Sequence, residues 1–439
     1  MPAVPKQKAL FSETPELVAH KRKLTSRSGS FVDNMKLPVH RWFRYSAGFS
    51  AQWVETELAA MSQDKTELRM FDPFVGSGTS VLAACASGIE AVGIESHPFI
   101  YRVARAKTNW NVDLSRFRDK TITILAQAKN GIINSSRAEI PLLGKCFTDE
   151  ALNKLDSLRH VFLESHNDAT DEGELAWLAI TSIIRSCSTA GTAQWQYVLP
   201  NKKKAKVTDP FDAFELRVAQ MHEDILHAQN AGWTNNCKIV LTDARDPVLP
   251  EAKKYNLVIT SPPYPNNYDY ADATRLEMTF WGEVKGWGDI HDAVRKHLIR
   301  SCSQHSSKEK LDLDDLLQDA VLDPIIGELE PACRELAEVR KAKGGMKAYH
   351  TMAAAYFTDL GDVFQALRPI CSSGSKMCFV VGDSAPYAVY LSVDRWLGEL
   401  ALAAGFKSYK FEKLRDRNTK WKNRKHNVPL HEGRLWIEG

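Results

Sequence analysis

The segment from Leu68 to Thr79 reads LRMFDPFVGSGT and decides the fold. Its first residues are largely apolar and predict a short β-strand, which runs into a turn that contains Gly76 and Gly78. Glycine lets the backbone turn sharply and approach a ligand without interference from a Cβ atom. A helix is predicted from Thr79 to Ser87 and a second strand from Glu90 to Glu95. This order of strand, glycine turn, helix and strand is typical of the start of a nucleotide-binding α/β unit.

The acidic residues beside this turn indicate the kind of ligand. The turn is not a P-loop, because no Gly-Lys-Ser/Thr follows, and it is not the longer G-x-G-x-x-G turn. Glu95 ends the next strand, where a carboxylate can accept hydrogen bonds from both ribose hydroxyls of an adenosine. Asp72 ends the first strand and can receive an ammonium group. Together they predict an adenosine that carries an amino acid, whereas the glycines alone fit a plain tight turn equally well.

A second motif, TSPPY at Thr260–Tyr264, directly follows the predicted strand at 256–259. Its two prolines fix φ and remove two N–H donors, so the loop is stiff and its carbonyls are free to accept hydrogen bonds. Ser261 brings a hydroxyl that can accept a hydrogen bond from an amine, and Tyr264 brings a flat face for stacking. These parts suit a base amino group held with its lone pair aimed at a methyl carbon. An ordinary turn is the alternative, since prolines are common after strands.

The two motifs together resemble those of the DNA amino-methyltransferases, which modify adenine N6 or cytosine N4. Asp72–Thr79 is similar to the cofactor motif of this family, and Ser261–Tyr264 to its catalytic motif. The resemblance implies an α/β fold of the Rossmann-like, S-adenosylmethionine-dependent methyltransferase type. It implies a mostly parallel seven-stranded sheet with helices on both faces and a largely helical insertion. Weaker similarity extends over residues 37–60, 90–98, 238–246 and 349–383.

The resemblance also implies the residues of the site. The implied S-adenosylmethionine pocket comprises Asp72, Phe74, Gly76, Ser77, Gly78, Thr79, Glu95, Asp243 and Phe49. Asp243 follows the strand at 238–241 and matches the acidic residue near the cofactor's adenine, although a turn or cap aspartate is an alternative. Phe49 lies in a segment similar to the one that packs on the methionine end, although helix-face aromatics are more often core. The implied catalytic residues are Ser261, Pro262, Pro263 and Tyr264, without a metal.

The first residue of the catalytic motif predicts the target base. A serine there resembles the cytosine-N4 enzymes, whereas adenine enzymes more often carry Asp or Asn, so adenine N6 is the alternative target. The chain lacks the Pro-Cys dipeptide that cytosine-C5 enzymes use as a nucleophile. Direct transfer without a covalent enzyme intermediate is therefore predicted. A base in a duplex would have to be flipped out of the stack, with Tyr264 as its stacking partner.

Composition describes an ordinary soluble protein. The chain has 439 residues, of which 44% are hydrophobic and 25% charged, and its net charge is +3. It has neither a run of membrane-span length nor a signal-peptide core, so we expect a cytoplasmic protein of a bacterium or archaeon, associated with the nucleoid. Its eight cysteines are scattered without a Cys-x-x-Cys pair, which predicts free buried thiols rather than disulfides or a zinc site.

The chain is predicted to have four parts. They are an N-terminal arm (1–36), a cofactor-binding half (37–109), a mostly helical insertion (110–235) and a catalytic half (236–439). The catalytic half contains a second helical insertion at 283–345 and a basic C-terminal tail. Within these parts we expect helices from His40 to Met61 and from Tyr387 to Ala404, and a loop from Ser188 to Thr208.

The predicted partner is double-stranded DNA, with a restriction endonuclease as a possible functional pair. Three segments are candidates for reading the DNA: the insertion with Trp195, Tyr197 and Lys202–Lys206, the helices at 283–345, and the tail from Lys407 to Lys425. A solvated surface loop is the alternative for each basic run. An RNA base or a protein as substrate, and a non-catalytic DNA-binding protein, are the alternative functions.

Overall fold

A computed structural model of the chain describes residues 31–45, 48–64, 67–165, 170–193, 196–305, 309–343, 347–417 and 428–439. Most of the predicted N-terminal arm, Trp195 and the part of the basic tail at 418–427 lie outside the described residues. Among the described residues, every helix is too short or too polar to span a lipid bilayer.

The core of the structure is a seven-stranded sheet in the order β5-β2-β1-β6-β7-β9-β8. Strands β5, β2, β1, β6 and β7 are parallel, and β9 runs antiparallel between β7 and β8. A separate antiparallel hairpin joins β3 and β4. The prediction of a mostly parallel seven-stranded sheet is confirmed. The strands are β1 (Arg69–Asp72), β2 (Glu90–Glu95), β3 (Ala190–Thr192), β4 (Val198–Lys203), β5 (Cys237–Leu241), β6 (Tyr255–Thr260), β7 (Cys371–Gly382), β8 (Ser408–Arg417) and β9 (Leu430–Glu438).

Helices connect the strands and fill the insertions. They are α1 (Ala51–Met61), α2 (Thr79–Ala86), α3 (Pro98–Lys107), α4 (Leu114–Asn130), α5 (Pro141–Cys146), α6 (Asp149–Glu164), α7 (Asp171–Cys187), α8 (Pro210–Asn230), α9 (Arg275–Trp281), α10 (Ile290–Ala293), α11 (Leu313–Leu317), α12 (Ile326–Ala342), α13 (Tyr349–Ile370) and α14 (Val393–Ala403). Helices α4–α8 make residues 110–235 mostly helical, as the sequence predicts. Glu174 of α7 accepts hydrogen bonds from the Arg102 guanidinium of α3 and so connects this insertion to the predicted cofactor-binding half (Nε–Oε2, 3.0 Å).

Both faces of the sheet are covered, because successive strand side chains point to opposite sides. On one face, Met70 and Leu257 pack in a buried cluster with α1, α2, α3 and the helical insertion. On the other face, Phe71 and Val258 pack with α12, α13 and α14. The prediction of helices on both faces is confirmed. The central strands are therefore buried between these two layers, and the loops at the edge of the sheet start from packed strands.

Two helix predictions are wrong at their starts. In place of the predicted helix from His40 to Met61, the structure has a 3₁₀ turn at His40–Trp42, no regular structure in the described residues 43–45 and 48–50, and α1 from Ala51. Ser50 starts α1, because its hydroxyl accepts a hydrogen bond from the Trp53 amide. The predicted helix from Tyr387 to Ala404 begins only at Val393, since Tyr387 and Ala388 have φ values of 52° and 69° that no right-handed helix allows.

Three other predictions also need correction. The expected loop at 188–208 contains the hairpin β3–β4. The segment 283–345 consists mostly of short helical turns, and α12 is the one long helix among its described residues. Cys85 and Cys237 form a disulfide rather than remaining free thiols. They are 152 residues apart in the chain, so spacing could not reveal the pair. The fold brings them together because α2 packs beside the start of the edge strand β5, with a Cα–Cα distance of 6.3 Å. The other six cysteines are free and buried.

Candidate active site

The two sequence motifs meet at one edge of the sheet. Parallel strands end at the same edge, so the turn after β1, the end of β2 and the loop after β6 converge there. A concavity between them contains side chains of both motifs, among them Glu95 and Ser261. Its lining residues are Tyr45, Phe74, Gly76, Glu95, Ser96, His97, Ser261, Pro263, Tyr270, Leu298 and Ile299. One cavity therefore has the acceptors predicted for a cofactor and the hydroxyl predicted for catalysis.

Two residues of the glycine turn have backbone torsion angles that only glycine adopts easily. Gly76 and Gly78 have φ values of +52° and +96°, in the left-handed region that disfavours a side chain. A Cβ atom on Gly76 would also lie 3.3 Å from the Tyr45 ring. The Gly76 amide donates to Glu95 Oε2 at 2.9 Å, so the turn closes onto the end of the neighbouring strand.

Glu95 is the principal acceptor in the concavity. Its carboxylate accepts hydrogen bonds from the amides of Gly76 (2.9 Å) and His97 (2.8 Å). The Ser96 amide also contributes a hydrogen bond to this carboxylate, and since a carboxylate offers about four lone-pair sites, at least one remains for a ligand. Burial raises the pKa of Glu95 from its ordinary value to about 7, despite these amide hydrogen bonds. The carboxyl group therefore changes charge near neutral pH.

Asp72 lies beneath the concavity and connects the two motifs. The buried carboxylate accepts hydrogen bonds from the Phe74 amide at 2.9 Å, from the Thr260 hydroxyl at 2.6 Å and from the Ser80 hydroxyl. Burial raises its pKa to about 6. Thr260 is the last residue of β6, so one side chain joins the glycine turn to the start of the predicted catalytic loop, Ser261–Pro265, which is called the catalytic loop below. That Asp72 also receives an ammonium group stays a prediction.

The catalytic loop is held by neighbours from the second half of the chain. The Ser261 hydroxyl donates to the Val380 carbonyl at 3.1 Å, which leaves lone pairs on the serine oxygen. The Tyr356 hydroxyl donates to the Pro263 carbonyl at 2.9 Å, and the Ser384 hydroxyl to the Pro265 carbonyl at 2.5 Å. The stiffness predicted from the two prolines is thus reinforced by hydrogen bonds from outside the motif.

Tyr264 packs against the end of the sheet. The Arg417 guanidinium lies 5.3 Å from the centre of its ring, and Arg417 donates to the Asp383 carbonyl at 2.8 Å. Gly382 leaves room for this contact, because a Cβ there would lie 3.1 Å from the tyrosine ring and 2.6 Å from the guanidinium. Burial raises the pKa of Tyr264 well above its ordinary value, so the phenol stays neutral. Arg417 belongs to the predicted basic tail, which therefore reaches the catalytic loop.

The segment after the catalytic loop forms an aromatic wall. Tyr270 lines the concavity, and its ring centre lies 4.5 Å from that of Tyr268. Asp269, between them, is buried and accepts hydrogen bonds from the Arg295 guanidinium at 2.6 and 3.1 Å. Burial alone would raise the pKa of Asp269, but contacts with His305 and Arg295 lower it to about 2. A permanently charged pair therefore fixes the backbone of this wall.

The remaining predicted cofactor residues lie around the concavity rather than within its lining. Phe49 is buried against Trp53, with ring centres 5.8 Å apart, while Tyr45 of the same segment lines the concavity. Ser77 and Thr79 line a small adjacent cleft. The Asp243 carboxylate accepts hydrogen bonds from the Arg245 guanidinium at 2.6 and 3.0 Å, so it is already paired. Their roles toward a cofactor stay predictions.

Two buried residues near the site were missed by the sequence analysis. His97 lies in the lining, its Nε2 is 3.0 Å from the Thr274 hydroxyl, and burial lowers its pKa to about 3, so the ring is neutral. Its position two residues after Glu95 was the available signal. Lys107 donates to the carbonyls of His40 (3.2 Å) and Phe43 (3.5 Å), and burial lowers its pKa to about 7. A single lysine in a helix gives no such signal.

One group of possible metal ligands lies beside Arg417. Asp383, Asp394 and His431 bring a carboxylate or imidazole atom each within 4.8 Å of one another. The two imidazole nitrogens each face a carboxylate, at 2.6 Å from Asp383 and 3.4 Å from Asp394. The Tyr390 hydroxyl also donates to Asp383 at 2.9 Å. These contacts account for the arrangement as a hydrogen-bonded network that fixes the loop after β7.

Comparison with known proteins finds similar chains along most of the length. Type II methyltransferase M.BsoBI of Geobacillus stearothermophilus is 26% identical over 432 residues, covering 88% of this chain and 82% of that protein. Type II methyltransferase M.AvaI of Nostoc sp. is 26% identical over 439 residues, covering 91% and 85%. Type II methyltransferase M.MvaI of Kocuria varians is 24% identical over 279 residues, covering 58% and 60%. No protein-family model matches the chain.

Proposed function

We propose that this chain is a site-specific DNA methyltransferase that transfers a methyl group from S-adenosylmethionine to the exocyclic N4 of cytosine. The observation that carries the proposal is the single concavity that Glu95, Gly76 and Ser261 share at the carboxyl edge of the sheet. The similarity to Type II methyltransferases over more than 80% of both chains supports the enzyme class. Adenine N6 is the alternative target.

The donors and acceptors of the concavity fit the proposed cofactor. The remaining acceptor capacity of Glu95 suits the ribose hydroxyls, and Gly76 and Gly78 let a ligand approach the backbone. Phe74 and Tyr45 supply apolar walls. Asp72 is proposed for the ammonium end, although three donors already occupy its carboxylate. Ser77, Thr79, Asp243 and Phe49 complete the proposed binding residues. When bound, S-adenosylmethionine supplies an electrophilic methyl group.

The residues of the catalytic loop hold the amine. Because the Ser261 hydroxyl donates to Val380, its oxygen can accept a hydrogen bond from the amine. The Pro262 carbonyl is the second proposed acceptor. Two acceptors increase electron density on the nitrogen and orient its lone pair, and that positioning is the main contribution of this chain to the rate. His97 is neutral and therefore adds no positive charge to the site. No covalent intermediate with the chain is needed.

The target base is proposed to leave the DNA duplex and stack on an aromatic side chain. The Arg417 guanidinium lies over the ring of Tyr264, and Tyr270 lines the concavity. Extrusion of a base costs a few kcal/mol, which such stacking offsets. The proposed setting is the cytoplasm of a bacterium or archaeon, at the nucleoid. The partner would be a restriction endonuclease with the same recognition site.

The decisive experiment identifies the methylated base. Purified protein is incubated with S-adenosylmethionine and unmethylated genomic DNA, and the DNA is digested to nucleosides for mass spectrometry. We expect N4-methylcytosine, at a level that falls to background with Ser261→Ala. Detection of N6-methyladenine would support the same mechanism with adenine N6 as the target. Absence of any methylated base in DNA, from protein that binds S-adenosylmethionine, would overturn the DNA assignment and make RNA the next substrate to test.

A further inference from the structure

A second concavity lies between the helical insertion and the segment that follows the catalytic loop. We call it the Trp287 cleft. Its volume is about 320 Å³, and its walls include Lys145, Pro200, Arg275, Lys285 and Trp287. Pro200 belongs to the hairpin strand β4, and Lys285 and Trp287 to the segment 283–345. Two of the three segments that the sequence analysis named as candidate DNA readers therefore meet at this cleft.

The charge of the Trp287 cleft has one sign. Three of its lining residues are cationic, and no acidic side chain lines it. The nearby Asp289 accepts hydrogen bonds from the amides of Lys285 (2.9 Å) and Gly286 (3.2 Å), which are neutral donors that do not cancel its charge. Arg275 is paired with Asp272 at 2.9 Å, so Lys145 and Lys285 are the lining cations that remain for a ligand. Lys203 of the hairpin adds a further cation, because its ammonium donates to the Lys145 carbonyl at 3.3 Å. Such a surface attracts a polyanion.

Trp287 gives the cleft an apolar contact in a fixed position. The residue is 45% exposed, which is unusual for a side chain of this size. Two guanidinium groups lie over its ring, that of Arg295 at 4.4 Å and that of Arg275 at 5.0 Å from the ring centre. An exposed indole beside lysine side chains suits contact with the sugar of a nucleic-acid strand, with the ammonium groups at its phosphates.

The cleft is close to the proposed target pocket. Arg295, which lies over Trp287, also binds Asp269 of the aromatic wall. Tyr270 lines the active-site concavity and Arg275 lines the cleft, and they are five residues apart in the chain. Five residues span at most about 18 Å. At about 3.4 Å per base step, this distance corresponds to about five base pairs of duplex DNA.

We propose that the Trp287 cleft binds the backbone of duplex DNA within a few base pairs of the target base. Lys145 and Lys285 contact phosphates, and Trp287 contacts the adjoining sugar. Such contacts place the duplex over the active site, whereas base-edge contacts elsewhere read its sequence. This inference rests on the proposed function, because it assigns the partner of that function to one surface of the chain.

The test is the salt dependence of DNA binding. A mixed-sequence duplex is titrated with full-length protein by fluorescence anisotropy at several salt concentrations between about 50 and 300 mM. Loss of two phosphate contacts in Lys145→Ala/Lys285→Ala should reduce the slope of log affinity against log salt by about 1.8, and the affinity at 100 mM by on the order of tens of fold. Trp287→Ala should weaken binding several-fold with the slope unchanged, because no charge is lost.

A matched control removes two exposed lysines elsewhere. Lys254 directly precedes β6 and Lys376 pairs with Glu438 of β9, so both lie toward the amino-terminal edge of the parallel strands and outside the three candidate DNA-reading segments. Lys254→Ala/Lys376→Ala changes the net charge equally and should leave the slope near that of the wild type. Calorimetric titration with S-adenosylmethionine checks each variant, and we expect wild-type cofactor affinity, which shows that the fold and the cofactor site are intact.

The outcomes separate this inference from the proposed function. If the wild type methylates DNA and Lys145→Ala/Lys285→Ala keeps the wild-type slope and affinity, the inference is wrong and the function stands. If both lysine pairs reduce the slope equally, binding follows net charge and the inference is also wrong. If the wild type binds S-adenosylmethionine but methylates RNA and not DNA, both the DNA substrate and this assignment of the cleft fall.

Discussion

The glycine turn and the catalytic loop meet at the same edge of the sheet, but different parts of the chain hold them in place. The turn is fixed by near neighbours: the Phe74 amide binds Asp72 two residues away, and the Gly76 amide binds Glu95 nineteen residues away. The catalytic loop is fixed from a distance, since Ser261 binds Val380 119 residues away. The conformation of the turn therefore depends mainly on β1 and β2. The conformation of the catalytic loop depends on the packing of β7 and α13, which supply its hydrogen-bond partners.

The largest effect is expected from Ser261→Ala. Removing the hydroxyl takes away the proposed acceptor of the amine and the hydrogen bond to Val380. We expect turnover to fall by on the order of 100-fold or more, because the amine loses its positioning. Cofactor affinity should change little, since the acceptors of Glu95 are untouched. Single-turnover kinetics and calorimetric titration measure the two quantities.

The control for this prediction is Ser384→Ala, which removes another hydroxyl that supports the loop but does not line the concavity. Its turnover should fall much less than that of Ser261→Ala. Equal losses in the two variants would show that the serine hydroxyl only supports the loop. Wild-type turnover in Ser261→Ala would remove the residue from the proposed mechanism altogether.

The bond that joins the two regions is the target of the second prediction. Thr260→Val keeps the shape of the side chain but removes the hydroxyl that donates to Asp72 at 2.6 Å. The buried carboxylate then loses one of its three donors, and we expect the free energy of unfolding to fall by about 1–3 kcal/mol. Chemical denaturation measures the change. Thr56→Val is the matched control on an exposed helix surface, and it should change the stability by less than about 0.5 kcal/mol. Equal losses of stability in the two variants would mean that the hydrogen bond between Thr260 and Asp72 stabilises the fold no more than a hydrogen bond on an exposed helix surface.

The same contrast explains how much of the site could be predicted from the sequence. Gly76, Gly78 and Glu95 form a contiguous pattern whose hydrogen bonds stay within the unit that they build, so both their conformation and their proximity were predictable. Tyr356, by contrast, reaches the Pro263 carbonyl from the middle of a buried helix, where an aromatic residue is indistinguishable from core. Contacts of this kind depend on which strands are neighbours in the sheet, and the sequence pattern does not specify that order.

Helix and disulfide errors have related causes. The stretch from His40 to Phe49 has the apolar content of a helix, but its aromatic side chains pack into the buried cluster on one face of the sheet, and its described residues form no α-helix. Local propensity cannot anticipate this, because tertiary packing overrides it. Cys85 and Cys237 likewise become neighbours only because β5 adds to the edge of the sheet beside β2. The order of the strands in the sheet therefore determines which cysteines become neighbours, and the spacing of the cysteines in the chain does not.

The third prediction concerns the pH dependence of the turn. Since burial raises the pKa of Glu95 to about 7, the carboxyl is largely protonated at pH 6 and ionised at pH 8. The ionised form accepts more hydrogen bonds, so cofactor affinity should rise with pH, by up to tenfold per unit below pH 7, and level off above it. Calorimetric titration between pH 5.5 and 8.5 measures this, and Glu95→Gln should bind more weakly and without the rise.

The same shift acts on folding with the opposite sign. A folded-state pKa raised above the ordinary 4.5 means that the folded protein favours the protonated carboxyl. This contribution to the free energy of unfolding is complete below about pH 4.5 and is lost as the pH rises through about 7. Glu95→Gln should therefore gain stability relative to the wild type over that window. A flat difference between the two proteins would place the pKa of Glu95 near its ordinary value.

The smallest effect is expected where the distant support of the catalytic loop is weakened without touching the concavity. Tyr356→Phe removes the hydroxyl that donates to the Pro263 carbonyl at 2.9 Å and keeps the buried ring. One hydrogen bond of this kind is worth about 0.5–1.5 kcal/mol, which corresponds to roughly a two- to tenfold fall in turnover if the loop alone loosens. Cofactor affinity should not change, because the glycine turn makes no contact with this hydroxyl. Tyr409→Phe removes a hydroxyl on the edge strand β8 that donates to Glu399 of α14, and it should leave turnover unchanged. If Tyr356→Phe instead lowered cofactor affinity and turnover together, the turn and the loop would be one cooperative unit, and the separation between local and distant support would not hold.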